Sequence, residues 1–350
     1  MAKTLDQFEA EQSEQVKELK SQLLEKDRIL ETYKKEHGRL QVFFDSLLPL
    51  VSAMEPVPIV YKPDSKTSNV EIESVFQSND WHIGEVQDAD EIERINAFNY
   101  KIATDRVVGL GHRINRVIDR SRNSYVIKNG VLICNGDMIS GDIHNELERT
   151  NEFPVPVQVV KAAELFSQHV IALAQNFNHF RVEYITADNH SRLTKKPQAK
   201  EQGINSFNYL VAILAEKILS RQINVEFNIH TEPQKVVDVY GRKYLVMHGH
   251  QIRGWAGIPW YGVERKASKE SQSRLSMIMD EPDRLENLGF HKIIAAHLHT
   301  PIDTLYYSVC GSLSGTNAYD RENGRYSPPS QGMWFVSAKH GEFGRIDFSL

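Results

Sequence analysis

Hydrophobic positions recur at alternating steps of three and four near the N-terminus: Val16, Leu19, Leu23, Leu30, Tyr33, Leu40, Phe44, Leu47 and Val51, with only Lys26 and His37 breaking the series. Residues 13–48 hold no proline and a single glycine, Gly38, and Glu, Lys and Gln fill most of the intervening positions. A period near 3.5 residues keeps one seam turned toward a partner helix, so residues 1–50 are expected to form a helical coiled-coil arm. In a parallel pair, Lys26 and His37 would weaken the seam and set its register. The alternative is one amphipathic helix lying on the rest of the protein. Pro49, Pro56, Pro58 and Pro63, followed by Lys66-Thr67-Ser68-Asn69, mark residues 51–69 as a linker.

From residue 70 the pattern changes to short apolar, β-rich runs separated by helical periodicity. Strands are expected at 71–77, 131–135, 181–187, 243–247 and 292–296, and helices at about 88–119, 157–177, 204–221 and 278–288. That alternation predicts an α/β layering. Short runs at 304–313, 333–338 and 345–349, set among Gly and Pro turns, predict a closing group of antiparallel strands. Residues 70–350 therefore read as one body behind the arm.

Composition narrows the class. In 350 residues, 41% are hydrophobic and 25% charged, which is ordinary for a chain that buries a full core. The net charge of −5 argues against binding a polyanion by bulk electrostatics, so any such contact must come from a local patch. Cys134 and Cys310 are too few for a disulfide framework, and a reducing cytoplasm is the expected setting. Nothing approaches the ~18 consecutive apolar residues of a membrane span, and residues 1–7 lack the apolar core of a signal peptide. Fourteen histidines remain to be explained.

Their context is informative. Strand 71–77 runs into Ser78-Asn79-Asp80-Trp81-His82, and 131–134 into Asn135-Gly136-Asp137. The next three runs end in Asp188-Asn189-His190, His248-Gly249-His250 and His297-Leu298-His299. In open α/β sheets the crevice beyond the strand carboxyl ends is where sites form, so these clusters are expected to converge. Imidazole, carboxylate and amide donors without thiolate suit Mn²⁺, Fe²⁺ or Zn²⁺. Asp-x-His and His-x-His on extended backbone would put both side chains on one face. There are more donors than one ion needs, and two ions ~3.5–4 Å apart form the clamp used in phosphoester hydrolysis. Any one triplet alone is weak; five in order after five expected strands are not. Trp81 and Ile83 are expected to pack in the wall. His112, His144, His169, His179, His230, His291 and His340 have no such context and are assigned to surface or packing.

As a set, these blocks resemble the calcineurin-like metallophosphoesterase superfamily, whose pattern runs Asp-x-His, Gly-Asp-x-x-Asp, Gly-Asn-His-Asp/Glu, His and Gly-His-x-His. The match spans roughly residues 70–340. The resemblance implies a four-layer α/β/β/α sandwich with two divalent metals, manganese first and iron or zinc next. It implies that Asp80, His82 and His299 hold one ion, Asn189, His248 and His297 the other, with Asp137 bridging. His190 would sit at the scissile phosphate as general acid or transition-state stabiliser. Gly311-Ser312-Leu313 is similar to the family's closing turn. Three positions depart: Ser140 stands where the second acid belongs, with Asp142 two residues on; Asp188 replaces a glycine; and Ala296 replaces another. None removes a ligand position, so an active enzyme is expected.

Ser78-Asn79-Asp80-Trp81-His82-Ile83-Gly84-Glu85 is similar to the opening block of the DNA-repair exonuclease branch, the double-strand-break nucleases. This implies a nuclease acting on DNA. The segment 253–274 agrees: Arg253, Trp255, Trp260, Arg265 and Lys266 interleave base and aromatic in an expected loop, which could bind backbone phosphates and stack unpaired bases. Arg192, Lys195, Lys196 and Lys200 form a second basic cluster. Two rivals remain: a small-molecule or phosphoprotein phosphoesterase, and a structural or adaptor protein with a vestigial metal site. No membrane partner is expected, and the arm is expected to join copies of the chain or to bind another protein.

Overall fold

The computed structural model describes residues 17, 20–21, 23–28, 31, 54–55, 70–252, 260–281 and 288–350. The chain divides into two compact units, 1–52 and 53–350. In the first, every described residue is helical. Most positions of the 3.5-residue seam, and most of the linker, lie outside the described residues.

Among the described residues of the second unit, eleven strands form two sheets. In the first sheet β1 (Glu71–Gln77), β2 (Val126–Cys134), β3 (His179–Ile185) and β4 (Val225–His230) run parallel. β10 (Ser330–Ser337) pairs antiparallel with β1, and β11 (Gly341–Ser349) extends that edge. The second sheet has the order β5-β6-β7-β9-β8, built on β5 (Gln234–Val239), β6 (Arg242–Met247), β7 (Lys292–Ala295), β8 (Ile302–Asp303) and β9 (Tyr307–Val309).

Side-chain alternation sorts residues into layers. On β6, Tyr244 and Val246 join Val75, Val131, Ile133, Ile185, Trp334 and Val336 in a core between the sheets. Their neighbours Leu245 and Met247 face the other way, into a cluster with Ile293, Ala295 and Val263. A period of two makes that division automatic. Val263 lies on helix α5 (Trp260–Asp280), which covers the second sheet. Across the molecule, α1 (Tyr100–Ser121), α3 (Val155–Ala174) and α4 (Phe207–Leu219) cover the first sheet, with the short α2 (Asn145–Thr150) leading into α3. Phe166 of α3 meets Tyr184 and Phe227 edge-on, and Phe76 packs against Phe177 and Phe180. The architecture is the expected α/β/β/α sandwich.

Several boundaries differ from the sequence reading. Helix α1 begins at Tyr100, not near 88, because the Asn99 side chain caps it by accepting from Ile102 N at 2.9 Å; residues 89–92 are a separate 3-10 turn. β4 and β5 were not anticipated. β4 is an edge strand with polar Glu226, Asn228 and His230, and β5 opens with Gln234-Lys235, so neither shows a long apolar run. Segment 260–280, read as part of a loop, is helix; the expected helix at 278–288 falls at its end, and residues 282–287 lie outside the described ones.

Two buried amides bring the strand ends of both sheets together. Gln77 Nε2 at the end of β1 donates to Asn135 Oδ1 (3.2 Å) and to Ala295 O (2.7 Å) at the end of β7. Asn135 Nδ2 donates to Met247 O at the end of β6 (2.8 Å). Buried amides so placed satisfy carbonyls that strand pairing leaves open, and they tie the ends of four strands, β1, β2, β6 and β7, to one edge.

Candidate metal centre

At that edge the backbone takes an unusual form. Asp80, His82, Asp137, His297 and His299 all have positive φ, between 47° and 69°. Left-handed backbone is uncommon for any residue with a Cβ and costs of order 1–3 kcal/mol each. The extended Asp-x-His and His-x-His geometry expected from sequence is therefore corrected: these pairs sit in left-handed turns just past their strands. The turns are bonded to one another. Asp80 N donates to Gly136 O (3.0 Å), His82 N to Asp137 O (3.1 Å), Leu313 N to Asp80 O (3.0 Å) and Ala296 N to His248 O (2.8 Å). Gly136, at φ +106°, has no room for a Cβ, which would press on Asp188 and His248.

The side chains converge. Ligand-type atoms of Asp80, His82 and His299 lie within 4.8 Å of one another, as do those of His82, Asp137 and His190, and of Asp137, His248 and His297. His82 Nε2 and His299 Nε2 are 3.1 Å apart. His248 Nε2 is 2.8 Å from Asn189 Oδ1 and 3.1 Å from Asp137 Oδ2. Every residue read from sequence as a metal ligand, and His190, thus lies in one crevice.

The hydrogen bonds around the cluster leave the inward atoms open. Asp80 Oδ2 accepts from Asn79 Nδ2 (2.6 Å) and His297 N (2.9 Å), while its buried Oδ1 has no hydrogen-bond partner. Asp137 Oδ1 accepts from His190 N (3.0 Å), and its buried Oδ2 likewise makes no hydrogen bond. His248 Nδ1 lies 2.8 Å from Asn135 O, which places a proton on Nδ1 and leaves Nε2 as the atom turned to Asn189 and Asp137. Buried carboxylate oxygens without donors are costly. A divalent cation would satisfy them, and the carboxylate, imidazole and amide donors fit manganese, iron or zinc.

Electrostatics say the same. Burial raises the Asp80 carboxyl, and burial followed by Asp137 raises Asp188 to about 6. Burial, then His190 and His299, holds His82 well below the usual imidazole value; His297 is lowered by burial and then by His248. Burial opposes protonation of His248 too, but Asp137 outweighs it and lifts that imidazole to about 10. The cluster is a set of buried groups that neutralise one another only in part.

Residues that the sequence reading did not single out complete the support. Glu85, buried beside the crevice, has Oε2 3.9 Å from His82 Nδ1 and accepts from Asn317 Nδ2 at 2.9 Å. Asp320 Oδ2, on the short helix α6 (Ala318–Glu322), lies 3.9 Å from His299 Nδ1. A signal existed for the second: Asn317 and Asp320 form a capping box, and its spacing is visible in the sequence. Asp188, the extra carboxylate, accepts from Asp137 N (2.9 Å), Ser191 N (3.0 Å) and Ser191 Oγ (3.0 Å). It bolts two site loops together by their backbones. At Ser140, where a second acid was expected, the backbone carbonyl does the orienting: His190 Nδ1 is 2.8 Å from Ser140 O.

Gly141 follows directly, at φ +68°, and a Cβ there would fall well inside contact distance of the His190 carbonyl oxygen. Gly141→Ala adds left-handed strain to a clash with backbone, so we expect a loss of about 2–3 kcal/mol in stability by urea unfolding. Activity should fall further than stability, because His190 moves. A variant with unchanged unfolding and turnover would show that His190 is not held by this turn.

The residues read as substrate-binding are not brought into the crevice by anything observed. Trp260 and Arg265 are exposed on α5, and Lys266 Nζ pairs with Glu270 Oε1 at 2.8 Å. Arg253 and Trp255 lie outside the described residues. In the second basic cluster, Arg192 donates to the carbonyls of Asn189 (2.7 Å), Thr194 (3.0 Å) and Lys195 (3.1 Å) and so braces its own loop. Lys195 reaches Asn145 Oδ1 (2.8 Å). His169, one of the histidines set aside, is buried edge-on against Trp81. Among the described residues, no helix is long and apolar enough to cross a membrane.

No protein-family model matches the chain, and no curated protein matches it. Solved structures do align. An archaeal phosphodiesterase is 13% identical over 79% of this chain and 99% of its own, with a TM-score of 0.32. Vps29 from Entamoeba histolytica, complexed with zinc, is 11% identical over 79% and 99%, at 0.23. A purple acid phosphatase from yellow lupin seeds is 9% identical over 84% and 55%, at 0.34. Likeness at these values carries nothing about activity, which has to be argued from the crevice itself.

Proposed function

We propose that this protein is a metal-dependent hydrolase of phosphodiester bonds with a two-ion centre, and that its substrate is a nucleic-acid strand, most simply DNA. One observation carries the hydrolase reading: five residues in left-handed turns bring carboxylates and imidazoles into three overlapping ligand-type clusters, with buried carboxylate oxygens left without hydrogen bonds. Strain and unpaired charge of this kind persist where function requires them. Asp80, His82 and His299 would hold one ion, and Asn189, His248 and His297 the other, with Asp137 shared. Bound there, manganese or a similar ion would supply an activated water and neutralise the phosphate oxygens.

The chain's own contribution is orientation and proton control. Ser140 O fixes His190 through Nδ1, which would leave Nε2 to protonate or hydrogen-bond the leaving oxygen. Asp188 keeps Asp137 and His190 in step by holding both their loops. Support for a polyanionic substrate comes from Lys196 and Lys200 on the loop after His190 and from Arg265 and Trp260, both exposed on α5, with Arg253 and Trp255 preceding that helix in sequence. By its 3.5-residue pattern, the N-terminal arm would join two copies of the chain or dock a partner protein.

The test is hydrolysis by metal-stripped protein resupplied with Mn²⁺, Zn²⁺ or Fe²⁺. Cleavage of methyl p-nitrophenyl phosphate and of a labelled DNA strand is expected only after reconstitution, and Arg265→Glu should weaken DNA cleavage while sparing the small ester. Turnover of the small ester without DNA cleavage would replace the nuclease reading by a small-molecule phosphodiesterase. Fewer than about one bound ion per chain and no turnover would favour a structural role.

A further inference from the structure

Beside the proposed metal centre lies a cavity of about 210 Å³. Asn189 and His297, both proposed ligands, line it, as does His250, whose buried Nδ1 has no hydrogen-bond partner among the described residues. The loop after His190 contributes Gln198, Lys200 and Gln202 to the lining. At this volume the cavity is smaller than the ~300–1,000 Å³ typical of sites for drug-sized ligands, so it admits one compact group and no duplex or folded peptide.

The loop is built to keep that shape. Arg192 is spent on three carbonyls of its own segment, Ser191 is fixed to Asp188, and Phe207 N donates to Ser191 O at 2.7 Å. Gly203 is packed so tightly on Thr231 O that no Cβ fits. Preformed walls of this kind favour binding because little ordering remains to be done. Polar capacity is nevertheless left over. Gln202 uses its Nε2 on Gln198 O (2.6 Å), and its Oε1 makes no bond among the described residues. Lys200, exposed at the rim, makes no ion pair among the described residues, whereas Lys195 on the same loop is paired with Glu148.

We propose that this cavity seats the group esterified to the scissile phosphate, a single nucleoside-sized polar moiety, and that Lys200 captures a second phosphate carried on that moiety. The inference rests on the phosphodiesterase reading and narrows it to substrates with a neighbouring phosphate, which a nucleic-acid strand supplies and a simple diester does not.

Three chromogenic esters test it: methyl p-nitrophenyl phosphate, and the p-nitrophenyl ester of thymidine 5′-phosphate with and without a 3′-phosphate. The manganese-loaded protein should prefer the ester bearing the 3′-phosphate by about tenfold in kcat/KM, as expected when one charge-assisted contact is gained. Lys200→Ala should erase that preference. Gln198→Trp, at an exposed position where folding is not at stake, should fill the cavity and depress both thymidine esters at least about tenfold relative to the methyl ester. Equal ratios in wild type and both variants would overturn the cavity assignment while leaving the hydrolase intact. No turnover of the methyl ester would instead remove the functional reading on which the assignment rests.

Discussion

Asp137→Asn is expected to lower kcat/KM for a phosphodiester by at least about 10³-fold, since several kcal/mol of charge stabilisation is lost with a shared ligand. Asp137 belongs to two of the three ligand-type clusters, and its Oδ2 faces His248 Nε2 at 3.1 Å without a hydrogen bond. An amide cannot present two anionic oxygens there. One of its ends would be an NH₂, and His248 would lose the charge that outweighs burial and lifts its imidazole. Metal analysis should show the bound ions falling from two to one or fewer per chain. Asp188→Asn is the informative contrast. Its oxygens only accept from Asp137 N, Ser191 N and Ser191 Oγ, and an amide oxygen can keep part of that set. Losses there should stay within the roughly 10–100-fold expected for a residue that positions a ligand. Equal losses at the two positions, or an Asp137→Asn protein that keeps both ions, would sink the shared-ligand assignment.

Manganese binding should raise the melting temperature by about 10 °C or more. Each site filled at a hundredfold excess over its Kd contributes about 2.7 kcal/mol, and a domain of this size gains roughly 2–4 °C per kcal/mol. The physical source is the buried charge that the cluster neutralises only in part. Asp80 also separates two effects. Burial raises its carboxyl in the folded protein, so the ionised form opposes folding once the pH has risen through that raised value. Asp80→Asn removes this opposition and keeps an oxygen for Asn79 Nδ2 and His297 N. The metal-free variant should therefore melt above metal-free wild type at pH 7, with the difference shrinking toward acid pH. Its gain on manganese addition should be roughly halved. Differential scanning calorimetry on the four samples decides this. A metal-free variant less stable than wild type would mean that Asp80 serves the fold before it serves an ion.

Much of the site was legible because chemistry-bearing residues follow apolar runs directly. Asp80, His82, Asp137, Asn189, His190, His248, His297 and His299 are each within a few residues of a strand end, and strand ends are easy to read. The left-handed turns were not legible. Asp, Asn and His tolerate such backbone better than most residues do, yet nothing in a triplet distinguishes that geometry from extension. Asp320 and Glu85 were missed because their partners, His299 and Asn317, come from distant parts of the chain. Helix α5 was misread because its buried side is a thin one, with Val263 alone fully buried and Ala267 beside it, so interleaved charge and aromatics hid its period.

By itself the sequence determined the α/β order of elements, the place of the donors at strand ends and the chemistry of the donor set, since period, spacing and ligand type are local properties. Only the tertiary structure decided that two sheets bring those ends to one edge. Gln77 and Asn135 make that join by donating to carbonyls of the opposite sheet, bonds between residues far apart in sequence. The role of Asp188 was decided in the same way. A carboxylate beside a ligand position can serve an ion, repel one or hold a backbone, and its direction depends on which amides the folded loops present. Here they are the amides of Asp137 and Ser191.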